Sequence, residues 1–109
     1  AAIIRVRGRT SGRLIDTPVG AVPHEDGFLV SLPYGTRPQW LRNLLAAGEG
    51  TLVHEGSTWA ISRPEVQPLE PVAGVFSPSD QRMHALFGVA DVLRVRADPT
   101  GERALTPAA

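Results

Sequence analysis

The sequence predicts a mainly β (α+β) domain, a small antiparallel barrel of about six strands carrying two short helices. Three observations predict it. Short β-branched or alternating runs recur along the chain, and most are joined by turn residues that pair neighbours as hairpins. Only two stretches combine helical spacing with helix-start chemistry. Those helices interrupt the strands without alternating with them, which argues against a doubly wound parallel sheet. A chain of 109 residues with 42% apolar content holds one core, so one domain is expected, with residues 1–97 as the barrel and 98–109 as a C-terminal tail.

Ile3-Ile4-Arg5-Val6-Arg7 is β-branched and stops at the Gly8–Gly12 punctuation, giving a first strand that enters a basic loop. Leu14 to Val22 is apolar at many positions and reads as a second strand. His24-Glu25-Asp26-Gly27 then supplies turn chemistry before Phe28-Leu29-Val30-Ser31-Leu32, so strands two and three form a hairpin with Asp-Gly at its tip. Pro38 suits a first helical turn, with Thr36 or Arg37 near the cap and Gly48 at the end. Between them Trp40, Leu41, Leu44 and Leu45 make an apolar stripe. Thr51–Glu55 and Ser57–Ser62 flank Gly56 as a second hairpin, and Pro64, Pro68 and Pro71 predict an extended connector beyond it. Ser77-Pro78-Ser79-Asp80 starts a second helix that runs to Gly88. Val92–Arg96 alternates as a last strand, and Asp98-Pro99-Thr100-Gly101 with the alanine-rich end reads as frayed.

Composition excludes several classes. Formal net charge is zero, so the basic excess that neutralises a nucleic-acid backbone is missing and no nucleic-acid partner is expected. With no cysteine there is neither a disulfide framework nor a thiolate site. No apolar run approaches the roughly 20 residues that span a bilayer, so the chain reads as soluble, and the lack of cysteine favours a cytoplasmic location. His24, His54 and His84 fall on a turn, a strand and a helix with no second ligand at metal spacing, so no metal is expected. His84 reads as a surface residue placed to reach a substrate mouth.

Two stretches carry chemistry. Gly8-Arg9-Thr10-Ser11-Gly12-Arg13 and the strand-to-helix passage Ser31 to Leu44 both place backbone amides, hydroxyls and arginine where the chain bends, which suits an anionic, phosphate-bearing ligand. Arg5, Arg7, Arg9 and Arg13 precede the first acidic residue, Asp16, and so build a local basic mouth. Taken alone, Gly8 and Gly12 read first as glycines of a tight turn between strands, and Arg9 and Arg13 serve equally as solvated charges paired weakly with Asp16 or Glu25. Trp40 fits both core and ligand wall. Asn43 shares its face, where a buried amide needs partners from backbone or ligand.

Gly-Arg-Thr-Ser-Gly-Arg, followed by Asp16-Thr17-Pro18-Val19 and by Tyr34-Gly35-Thr36 with Trp40, Arg42, Asn43 and Leu44, resembles the deazaflavin-dependent nitroreductase family. These are split β-barrel oxidoreductases, similar to the FMN-binding split barrels and best known from actinobacteria. The resemblance runs from about Ile3 to Arg96. It implies reduced 8-hydroxy-5-deazaflavin, coenzyme F-420, passing hydride to a small electron-poor acceptor such as a quinone, an activated alkene or a nitro compound. On the family pattern Arg9, Thr10, Ser11, Gly12 and Arg13 hold the phosphate and acidic tail, and Thr17, Pro18 and Val19 line the ring's edge. Tyr34, Gly35, Thr36 and Arg37 form the second cofactor loop, with Trp40 and Asn43 closing the pocket.

The chain also departs from that pattern. Many relatives have lysine where Thr10 stands, and a longer lysine-bearing loop where this chain has only Arg37, which weakens the expected anion grip. Nitro-reducing members carry several tyrosines in the C-terminal half, whereas the one tyrosine here is Tyr34. The family's N-terminal helix is missing, and a peripheral membrane contact through such a segment is one expectation. FMN or haem in the same barrel, and a non-catalytic carrier of an anionic ligand, are the alternatives, as monomer or homodimer.

Overall fold

The computed structural model describes residues 2–103, with side chains through Thr100. Seven antiparallel strands, two α-helices and one 3-10 helix follow in the order β1 (Ala2–Arg7), β2 (Leu14–Val19), β3 (Ala21–His24), β4 (Gly27–Ser31), α1 (Gln39–Ala47), β5 (Glu49–His54), β6 (Ser57–Pro68), the 3-10 turn (Glu70–Val75), α2 (Pro78–Leu86) and β7 (Asp91–Arg103). They form one sheet in the order β2-β1-β5-β6-β7-β4-β3. β2 and β3 are the two edges, yet only Gly20 separates them in the chain. The sheet therefore curls until its edges meet at that corner, leaving a half-barrel.

The run expected as one strand from Leu14 to Val22 is thus two, which raises six strands to seven. β2 pairs with β1 (Arg7 opposite Leu14, Ala2 opposite Val19), while β3 pairs with β4. The β3–β4 turn is Glu25-Asp26, with His24 opposite Gly27, so Gly27 opens β4 and does not form the tip. β6 does not stop at its prolines. It continues to Pro68 through a bulge between Ser62 and Glu65, where Arg63 takes φ +52 and Pro64 falls between registered pairs, so its missing N–H breaks no ladder bond. The connector beyond is a 3-10 turn with Pro71 in its first residues. β7 extends past the expected Arg96: Pro99 lies opposite Trp59, and Thr100 Oγ1 donates to the Thr58 carbonyl at 3.0 Å. Residues 104–109 lie outside the described residues.

α1 starts one residue later than its proline suggests, with Pro38 itself at the cap position and neither Thr36 nor Arg37 capping; Gly48 closes it, its N–H donating to Leu44 at 2.8 Å. In α2 the Ser77 hydroxyl accepts from the Asp80 N–H at 3.2 Å, as the Ser-Pro-Ser-Asp start predicts.

The barrel interior holds Ile4, Val6, Phe28, Val30, Leu32, Leu52, Ile61, Leu93 and Val95, and α1 packs Leu41 and Leu44 into it. Leu45 of the expected stripe is instead exposed and Asn43 is buried. A second cluster of Leu29, Leu69, Phe76 and Val92 lies on the other side of β4. Because β4 is covered on both faces it reads as a continuous apolar run. Its single polar member, Ser31, is buried.

Candidate functional site

The loop joining β1 to β2 closes on itself, with the Gly8 N–H donating to the Arg13 carbonyl at 2.7 Å and Gly12 N–H to Gly8 at 2.9 Å. Gly12 takes φ +75, a conformation glycine adopts without steric cost. The Arg7 guanidinium reaches back to the Gly12 carbonyl at 2.6 Å. Arg9 ties the loop to α1: its backbone N–H and its Nη1 both donate to Asn43 Oδ1, at 3.2 and 2.6 Å. Asn43 is 5% exposed, so its buried carbonyl oxygen is satisfied by the loop. Arg7, Arg9, Thr10, Ser11, Gly12 and Asn43 thereby surround a groove of about 470 Å³.

Arg9 and Arg13 are exposed, and neither pairs with Asp16 or Glu25. Asp16 is taken by Arg5, at 2.6 and 2.8 Å, and Glu25 by Arg94 at 2.6 Å. Among the described residues Arg7, Arg9 and Arg13 have no carboxylate partner, so the loop keeps its positive charge. The Arg5 hydrogen bond holds the Asp16 carboxyl below the ordinary carboxylate range. Its folded pKa is depressed, so the stabilisation is present above the unfolded value and lost as pH falls through the folded one. Both side chains are 47% exposed, so screening keeps the effect small. Asp16→Asn should cost under about 1 kcal/mol at neutral pH, a difference that vanishes in acid; thermal melts at the two pH values measure it.

A larger cleft of about 610 Å³ opens where the β2–β3 corner faces α2. Thr17, Pro18 and Val19 supply one wall, Tyr34 and Gly35 a second, and Trp40 a third. Trp40 also packs on the barrel core, so it serves as core and wall together. Trp40 and Asn43 are three residues apart on α1, one helical turn, and this turn links the cleft to the arginine groove. Of the candidate residues, Thr17, Pro18, Val19, Tyr34, Gly35 and Trp40 gather in the cleft; Arg9, Thr10, Ser11, Gly12 and Asn43 gather in the groove; Arg13, Thr36 and Arg37 line neither.

The cleft has a fourth wall, from Ser31, Asp80 and Met83. His84, expected on the surface, is 4% exposed, with Nε2 at 2.9 Å from Ser31 Oγ and its ring edge-on to Phe76 at 4.8 Å. The one available signal was the single hydroxyl in the apolar run of β4. No group of three histidine, aspartate or glutamate side chains among the described residues is arranged to hold a metal. No helix among them is long and apolar enough to cross a membrane.

A family model described as F420H(2)-dependent quinone reductase matches residues 1–65. The chain belongs to this family. It is accordingly an oxidoreductase of the split-barrel, deazaflavin-dependent kind. No curated protein gives a match. The matched span runs from β1 into β6 and includes every candidate residue of both the groove and the cleft, whereas α2, with Asp80, Met83 and His84, lies beyond it. The residues present suit the family's coenzyme. Apolar side chains of Pro18, Val19 and Trp40 line the cleft, and the charge-bearing loop with its hydroxyls and bent backbone lies one helical turn away.

Proposed function

We propose that the chain binds reduced 8-hydroxy-5-deazaflavin with the ring in the cleft and the phosphate-bearing tail along the Gly8–Arg13 loop, and reduces a quinone. The observation that carries this reading is the division of the site across one turn of α1: an apolar cleft at Trp40, an uncompensated arginine loop at Asn43. When bound, the coenzyme supplies the hydride; the protein's task is to bind, orient and exclude water. Arg9 and the hydroxyls of Thr10 and Ser11 hold the tail, with the loop shape fixed by Asn43. Pro18, Val19 and Trp40 sandwich the ring, and Tyr34, largely exposed, borders the mouth through which the acceptor enters. Activated alkenes are secondary acceptors in this reading, and with Tyr34 the one tyrosine of the chain, nitro compounds are disfavoured.

The test is a titration with the reduced deazaflavin and, in parallel, with FMN, followed by tryptophan fluorescence. Saturable quenching by the deazaflavin, lost in Trp40→Phe but retained in Trp59→Phe, is expected, as is coenzyme oxidation on adding a quinone. Preference for FMN would overturn the cofactor assignment, and tight binding without oxidation would make the chain a carrier.

A further inference from the structure

Ser31 sits on the face of β4 toward α2, 5% exposed, and lines the cleft. Its hydroxyl oxygen is 2.9 Å from His84 Nε2. The other ring nitrogen, Nδ1, is buried with no hydrogen-bond partner. With a single ring proton, the pair has two arrangements. If Ser31 donates to Nε2, the ring proton sits on Nδ1 as a buried N–H with nothing to receive it. If Nε2–H donates to Oγ, Nδ1 keeps only a bare lone pair. Orphaned buried donors are the rarer and costlier of the two, so the second arrangement is favoured. It frees the Ser31 O–H. Among the described residues that hydroxyl has no partner but His84, and the space beside it is the cleft. Asp80, the one carboxylate lining the cleft, makes that wall suit a neutral carbonyl and repel a phosphate.

We propose that Ser31 donates a hydrogen bond to a carbonyl oxygen of the molecule in the cleft, with His84 as the positioning residue that turns the hydroxyl outward. This rests on the functional reading above. The carbonyl belongs either to the deazaflavin's pyrimidine ring or to the quinone. A quinone oxygen gains negative charge as hydride arrives, so a fixed donor there binds the transition state better than the ground state. The hydroxyl keeps its proton throughout.

The imidazole tautomer is read first, without coenzyme, by nitrogen-15 NMR; the chain has three histidines, and His84→Gln identifies the resonances of His84. A protonated Nε2 whose shift moves in Ser31→Ala supports the proposal, and a protonated Nδ1 overturns it. Ser31→Ala is then compared with Ser31→Thr, which keeps the hydroxyl. A loss of about fivefold to tenfold in deazaflavin affinity assigns the carbonyl to the coenzyme. Unchanged affinity with a similar loss in kcat/KM for 2-methyl-1,4-naphthoquinone assigns it to the acceptor. In either case Ser31→Thr and His84→Gln, which keep a donor, stay near wild type, while His84→Leu matches Ser31→Ala. If Ser31→Ala changes neither quantity, or Ser31→Thr fails equally, the proposal falls. A wild-type chain that binds no deazaflavin sinks the functional reading instead, and the tautomer still sustains or overturns the free hydroxyl.

Discussion

Gly27→Ala should destabilise the fold by more than about 3 kcal/mol, enough to leave much of the protein unfolded or insoluble. A Cβ at Gly27 would lie 1.8 Å from the Val95 carbonyl oxygen and 2.8 Å from the Arg96 Cα. These are backbone atoms of β7, paired with β4 from Gly27 opposite Arg96 to Ser31 opposite Val92, so no side-chain rotation relieves the overlap. The Ala97 N–H also donates to the Asp26 carbonyl at 3.0 Å, which pins the turn against β7. Relief requires β4 to part from β7, and both the inner and outer cores draw residues from that strand pair. Gly74→Ala is the control: a Cβ there meets nothing within 4 Å, and the change should fall within about 0.5 kcal/mol. Each kcal/mol moves Tm by roughly 4–8 °C in a domain of this size, so thermal melts of the two variants separate the cases. A Gly27→Ala protein melting beside wild type would contradict the tight β4–β7 approach.

The same glycine shows where local sequence stops being informative. Read locally, Asp26-Gly27 is a hairpin tip, because Asp-Gly is favoured there for its conformational freedom. The constraint on Gly27 comes instead from a strand about seventy residues away, and turn chemistry carries no trace of it. Gly20 is a parallel case. Periodicity across Leu14–Val22 is that of one strand, and only the closure of the sheet shows that the chain changes edges there. The elements specified locally were legible: the proline start and glycine end of α1, the serine cap of α2 and the hairpin at Glu55-Gly56. Pro64 misled because a bulge removes the cost that proline otherwise imposes on a strand.

For the site, the segments were legible and their connections were not. The loop Gly8–Gly12 and the passage around Tyr34 and Trp40 stand out by residue type, and the family match falls on the same half of the chain. That Asn43 serves the loop through Arg9 depends on a contact across 34 residues, and that Arg13, Thr36 and Arg37 line neither hollow follows only from how the folded segments lie. His84 looked like a surface histidine because α2 has a weakly amphipathic sequence; the burial comes from Phe76 and Ser31, on two other segments.

Arg9→Ala should weaken deazaflavin binding by roughly tenfold to a hundredfold, the range for losing one charge-assisted hydrogen bond to an anion. It should also flatten the salt dependence of binding, since one of three uncompensated charges around the loop is gone. Asn43→Leu separates charge from position. It removes the oxygen that receives both Arg9 hydrogen bonds, leaving the guanidinium charged and unanchored. Affinity should fall by a similar factor while the salt dependence stays near that of wild type. The two losses should not add in the double variant, because Asn43 acts on the tail through Arg9. Arg63→Gln, in a groove that shares no residue with the loop, should leave both quantities unchanged. Fluorescence titrations at two ionic strengths decide the matter: equal effects from Arg9 and Arg63 would mean that general positive charge attracts the coenzyme, and additive losses from Arg9 and Asn43 would mean that the amide meets the coenzyme directly.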